Sequence, residues 1–385
     1  MQIIFVSYYD FKVQSAIHIF NIANELCKIG VDCTVCVTEN VELVHNIGKP
    51  LFSCMTHEEI LAPDFTVQDP KNTLVHAWTP RENVRQCTLA LCEKLGCRYM
   101  IHLEDNELSV LEFVLGVSME QALAMPREEV DALMPAPGEL PCTHPHYFQS
   151  FLEGAAGLSV IIETLNDFKP DHVPSVVLWP SCESSMFLNA RCDRNLRRDL
   201  GIGEGERVIF YPGAVSEPNK EDVLSLYKAV ALLNQKGHSF RLLRTGVDFC
   251  DLGIGPELNE HVISLGFRPR EEIPQYLGMA DVLVQPGAPG HFNDYRFPSK
   301  LPEFFYAGKP VVMGRTNLGG MIRDGVDALL MERGDPDEIV EKVVLLTENE
   351  ELAATLGKNA LAFAEKHFNW RKTAAELHAF YKSIL

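Results

Sequence analysis

No run of apolar residues in this chain of 385 reaches the roughly 18 needed to span a bilayer, so no transmembrane helix is expected. Positive charge is scarce: 34 Lys and Arg stand against 53 Asp and Glu, a formal net charge of −19. The deficit is concentrated early, with 10 basic against 24 acidic residues in 1–178. Such a surface repels nucleic acid and anionic headgroups across a Debye length of about 8–10 Å. A nucleic-acid partner is therefore not expected, and membrane contact is at most peripheral. The opening MQIIFVSYYDFK lacks a basic n-region and its apolar run is broken by Asp10, so no signal peptide is expected. Neither half carries the G-x-G-x-x-G of a dinucleotide oxidoreductase. Cys33 and Cys36 form a C-x-x-C, but no second pair completes a tetrahedral metal site. They also sit on a predicted strand, where residues i and i+3 face opposite ways. Cys87, Cys92 and Cys97 recur on one amphipathic helix and its end, as small buried hydrophobes do. The eleven scattered cysteines read as reduced structural thiols in a reducing cytoplasm.

What the chain does have is alternation. Its length suggests two domains, at about 150 residues each. IIFVSY, CTVCVT, LVHAW, RYMIHL, GLSVIIE and PSVVLWP read as strands, with helical patterns at SAIHIFNIANELCKIG and ENVRQCTLALCEKLG. This predicts βαβ units and a parallel sheet over residues 1–178, interrupted by a helical insertion at about 106–156. A second series, VIFYPG, FRLLRTG, HVISLG, ADVLVQPG, PVVMG and DALLM, predicts another α/β domain over 179–370. Asp335 and Asp337 open a helix there and read as an N-cap with an acidic first turn, not as a metal-binding D-x-D. Residues 371–385 form a terminal helix expected to pack back on the first domain.

The most informative string is RFPSKLPEFFYAGKPVV, residues 296–312. A polar, proline-broken entry from Arg296 to Lys300 leads into a short helix that Gly308 can end, and Val311-Val312 reads as a buried strand. Cations at a helix entrance, where backbone N–H groups point outward, suit a phosphate. Glu303, in the first turns, is placed to accept hydrogen bonds from sugar hydroxyls. Phosphate and sugar side by side describe a nucleoside diphosphate-sugar.

This string resembles the donor-site segment of retaining glycosyltransferases of family 4 (group 1), through Pro298, Ser299, Lys300, Leu301 and Glu303, then Ala307 to Val312. The resemblance implies two Rossmann-like domains facing a cleft, the B-type fold, with the donor held by the second domain. It implies donor-binding roles for Gly213, Lys220, Arg244, Arg296, Ser299, Lys300, Leu301 and Glu303, with Glu303 on the ribose. It implies catalytic roles for Lys220, Glu303 and His102, the last by position at a strand end near the donor sugar; His76 is a weaker candidate. Ala214 stands where the family has an arginine, so Lys300, Arg296 and Arg244 are the candidates to supply the missing charge, Lys300 foremost. Tyr295 stands near the position of the family's first glutamate. The loop SYYDFKVQSA lacks the family's glycines, and Ser15 as N-cap of the first helix is expected to substitute.

The implied reaction is front-face transfer of a sugar from a nucleotide diphosphate-sugar to an acceptor hydroxyl with retention, in glycan or glycoconjugate assembly. It needs no metal and no cofactor. The acceptor, whether glycan, lipid-linked or small molecule, is left open by the sequence. A competing reading is a catalytically degenerate scaffold subunit, for which Ala214 and Tyr295 are the sequence support. A sugar-nucleotide epimerase of the same fold lacks its histidine and carboxylate pattern here.

Overall fold

The computed structural model describes residues 1–188 and 190–385, and these divide into two compact units, Met1–Pro180 with Trp370–Leu385, and Ser181–Asn369. Each unit is a parallel sheet covered by helices. The chain is thus α/β with two Rossmann-like domains.

In the first unit the strands are β1 (Gln2–Ser7), β2 (Asp32–Val37), β3 (Ser53–Thr56), β4 (Thr73–Trp78), β5 (Arg98–Leu103), β6 (Leu158–Val160) and β7 (Ser175–Val177). They lie in the order β3-β2-β1-β4-β5-β6-β7. Ile3, Ile4, Phe5 and Val6 are fully buried, as a central parallel strand covered on both faces requires. β3 was not foreseen: SCMT is a short, half-exposed edge strand with little apolar signal. The helix Gln14–Lys28 turns Ile19, Phe20, Ile22, Ala23 and Leu26 into the core and stops before Gly30, whose φ is +85°. Val13 and not Ser15 is its N-cap. Segment 106–156 contains the helices Glu107–Leu115, Met119–Ala124, Arg127–Leu133 and Pro145–Glu153. The final helix, Trp370–Ile384, joins the first unit's core through Ala374, Leu377, Tyr381 and Ile384. The Tyr381 hydroxyl is 2.8 Å from His76 Nδ1, and His76 Nε2 is 3.0 Å from Ser159 Oγ. His76 is therefore a buried structural link, consumed by its neighbours.

In the second unit the strands are β8 (Arg207–Pro212), β9 (Phe240–Thr245), β10 (Val262–Ser264), β11 (Val282–Gln285), β12 (Val311–Gly314) and β13 (Leu329–Met331), in the order β10-β9-β8-β11-β12-β13. The order reverses between β8 and β11, and in such sheets ligands bind at the carboxyl ends of the strands beside that switch point. The helix Pro336–Glu348 is capped by Asp335, whose carboxylate accepts from the Glu338 N–H at 2.8 Å. No helix among the described residues is long and apolar enough to cross a membrane.

Candidate functional site

The loops leaving β8, β9 and β10 are stacked by backbone hydrogen bonds, Gly213 N–H to Thr245 C=O at 2.9 Å and Gly246 N–H to Gly266 C=O at 2.8 Å. A Cβ on Gly246 would stand 2.3 Å from the Gly213 carbonyl oxygen, so only glycine permits this approach. Gly213 itself, at φ +132°, presents bare backbone at the end of β8. The Lys300 side chain lies over it, and the ammonium donates to the Tyr211 hydroxyl at 3.3 Å while sitting 4.5 Å from that ring's centroid.

Lys300 reaches this point because the loop from β11 returns across the switch point before the helix Leu301–Tyr306 begins. That helix is only six residues long and has no side-chain cap. The macrodipole expected at its entrance is correspondingly small, and the positive field comes from the Lys300 ammonium itself. Ser299 is exposed. Leu301 is fully buried, which corrects its expected role: its side chain packs in the core and is not available to a ligand. The helix ends at Ala307, with Gly308 at φ +63° behind it, and Val311 and Val312 are buried in β12.

Glu303 has a side chain 14% exposed, and its Oε1 is 3.2 Å from Arg270 Nη2. Burial pushes its carboxyl up to about 7, against the pull of Arg270 and Lys300. Arg270 was missed by sequence reasoning. It follows β10 in GFRPREE, and a proline-flanked arginine has no distinctive periodicity; only the fold brings it to Glu303.

Lys220 is the first residue of the helix Lys220–Gln235, with its Nζ 3.9 Å from Glu217 Oε1. Arg296 donates through Nε to Asn293 Oδ1 at 3.0 Å and lies 3.7 Å from Asp222 Oδ2, a carboxylate on the first turn of that same helix. Arg244 is placed otherwise than expected. It is 2% exposed, donates to the Tyr227 hydroxyl at 2.6 Å and to Asp248 at 2.7 Å, and so spends its charge inside the unit. A guanidinium this buried needs such partners, because an unpaired one costs too much desolvation.

In the first unit, the carboxyl ends of β1, β4 and β5 meet around Glu104. Its carboxylate accepts from Trp78 Nε1 at 2.7 Å, from the Ser15 hydroxyl, and from the His18 ring at 3.3 Å. Burial raises its carboxyl, but the contacts with His18, His102 and Ser15 outweigh that and hold it down at about 2. Ser15 is therefore committed to Glu104, not to capping. His102 is 1% exposed, stacked 3.8 Å from Trp78, with Nδ1 2.8 Å from Ser159 Oγ. Burial lowers its pKa to about 3, so the ring is neutral. The ring is enclosed by Trp78 and Ser159, and its Nε2, 3.9 Å from Glu104 Oε1, has no hydrogen-bond partner.

Beside this cluster Arg81 stacks 4.0 Å above the Tyr8 ring, with Glu107 Oε2 3.7 Å and Asp105 Oδ2 3.4 Å from its guanidinium. Burial pushes the Glu107 carboxyl up to about 7 in spite of Arg81.

Residues 206–349 match the family model of Glycosyl transferases group 1. An uncharacterized glycosyltransferase of Methanocaldococcus jannaschii is 30% identical over 125 residues, 32% of this chain and 34% of that protein. The D-inositol 3-phosphate glycosyltransferase of Nocardia farcinica is 24% identical over 202 residues, 49% of this chain and 43% of that protein. The chain thus spans less than half the length of these curated relatives. The crystal structure of Anabaena HepE in complex with UDP and glucose superposes with a TM-score of 0.70 at 16% identity, covering 100% of both chains. Residues 206–349 are thus similar to the group 1 glycosyl transferases, and the whole chain shares the two-domain α/β fold of HepE.

Proposed function

We propose that this protein is a retaining glycosyltransferase that moves a sugar from a nucleoside diphosphate-sugar to an acceptor hydroxyl, as members of family 4 do. The observation that carries the reading is the placement of Lys300 over the bare backbone of Gly213, with Glu303 a turn further along the same segment. A diphosphate at Gly213 meets no side chain from β8 and an ammonium from above; Glu303, held by Arg270, accepts from the ribose hydroxyls. Lys220 supports the diphosphate from the helix that follows Gly213. Solved structures of HepE with UDP and with UDP-glucose make a uridine nucleotide the first donor to try.

In the reaction the acceptor oxygen bonds to the anomeric carbon on the face that the diphosphate leaves. The carbon–oxygen bond to the diphosphate breaks, its electron pair passes to the departing phosphate oxygen, and that oxygen takes the acceptor's proton. The ammonium groups of Lys300 and Lys220 stabilise the charge that develops there. Protein cations fill the place a metal ion takes in other transferases, so the reaction proceeds without one.

The test is incubation of the chain with UDP-glucose and release of UDP, with and without candidate acceptors. Nucleotide release that needs Lys300 supports the reading. UDP binding without any release, across the common nucleotide-sugars, points instead to a degenerate scaffold subunit.

A further inference from the structure

The first unit holds a cavity of about 520 Å³ at the carboxyl ends of β1 and β2, beside the switch point between β1 and β4. That is where an open parallel sheet binds ligands. Tyr8 and Tyr9 line it from the loop after β1, and Glu39 from the loop after β2. Asp131, Glu139 and His144 line it from the helical insertion. No lysine or arginine is among its lining residues. Glu82 also reaches the lining, but its carboxylate is held by Arg85 at 2.6 Å. The buried cation Arg81 lies on the Tyr8 ring and is held by Asp105 and Glu107.

His144 adds a second kind of observation. It is 2% exposed, its Nε2 is 3.0 Å from Asp131 Oδ1, and its Nδ1 has no hydrogen-bond partner. A buried, half-satisfied imidazole on a cavity wall is a polar group waiting for a partner, because a buried donor or acceptor left unmet keeps its full desolvation penalty. Glu39 and Glu139 give the cavity a negative field, to which Asp131 adds less because its Oδ2 lies 3.8 Å from Arg127 Nε, and the segment 106–156 that roofs it holds eight Asp and Glu against the one basic residue Arg127. With Arg81 on one face of Tyr8, the Tyr9 ring is the aromatic face that suits an ammonium group.

We propose that this cavity binds a small polyhydroxy molecule carrying a protonated amine, the class to which amino sugars belong. The inference rests on the glycosyl-transfer reading, in which this molecule is the acceptor. Carboxylates and tyrosines take up its hydroxyls and its ammonium group, and the negative field turns phosphorylated or carboxylated sugars away.

The experiment uses the full chain, with glucosamine, N-acetylglucosamine and glucuronate as probes at matched ionic strength, by thermal shift and calorimetry. Glucosamine should raise the melting temperature and bind at least fivefold more tightly than N-acetylglucosamine, and glucuronate should give no shift. Glu39→Gln, at an exposed position that does not threaten folding, and Asp131→Asn should each weaken glucosamine binding at least threefold. Equal or tighter binding of N-acetylglucosamine or glucuronate overturns the proposal, as does glucosamine binding unchanged in Glu39→Gln. UDP is titrated into the same samples. A UDP shift without glucosamine binding overturns this inference alone, whereas no UDP shift overturns the donor reading beneath it.

Discussion

Lys300 and Gly213 are fitted to each other: a Cβ on Gly213 would stand 3.1 Å from Lys300 Cε and 3.3 Å from its Nζ. The absent side chain is the room that the ammonium occupies. Losing the ammonium in Lys300→Met removes a charge-assisted contact of about 1.5–3 kcal/mol and should cost tenfold or more in UDP affinity by calorimetry. Gly213→Ala should cost a similar amount by displacing Lys300, with a lower melting temperature because φ +132° strains an alanine. The double variant should lose much less affinity than the two single losses multiplied together. Multiplicative losses would show that the two residues act separately.

Glu303 should make the ligand-free protein more stable at mildly acid pH. Its folded pKa is raised to about 7, from an ordinary value near 4.5. Between those values the folded state binds more protons than the unfolded one, so this group's contribution to stability is full below about 4.5 and falls as pH rises toward 7. Glu303→Gln should flatten that part of the melting temperature profile. Glu303→Ala should also weaken the UDP shift more than a surface substitution does. A profile unchanged in Glu303→Gln would dissociate Glu303 from the pH dependence.

Arg81 and Glu107 form a buried pair whose disruption should depend on pH. Arg81→Met leaves a carboxylate 1% exposed beside Asp105 with its main cation gone. At pH 8 the loss should be about 3–5 kcal/mol in chemical denaturation, as for breaking a buried pair. At pH 5 it should be smaller, since Glu107, already held up at about 7 with Arg81 present, takes a proton and becomes neutral. Equal losses at both pH values would mean that packing of the Arg81 stem over Tyr8 is the main effect.

Turnover should survive excess chelator, because Lys220 and Lys300 carry the charge compensation in the proposed reaction. Nucleotide release is measured after treatment with EDTA and again after adding magnesium or manganese. Full loss on chelation with recovery on metal addition would count against this mechanism.

Much of this architecture was legible in the residues themselves. Apolar runs such as IIFV and VIFY are short, β-rich and buried on both faces, and the helices between them repeat at 3.6 residues; local periodicity is enough to specify a parallel α/β chain. The entry into residues 301–306, the glycine stop at Gly308 and the cap at Asp335 are likewise local and could be read directly. Side-chain commitment was not legible. An arginine at a strand end looks the same in sequence whether it meets a ligand, as expected for Arg244, or is clamped by Tyr227 and Asp248, as it is. The same holds for His102 under Trp78, for Leu301 in the core, and for Arg270, which meets Glu303 across 33 residues of chain. Periodicity is set by the backbone within a few residues, so the sequence determines it alone. Which polar groups satisfy one another is settled by desolvation, which acts only once distant segments have been brought together and water has been excluded between them.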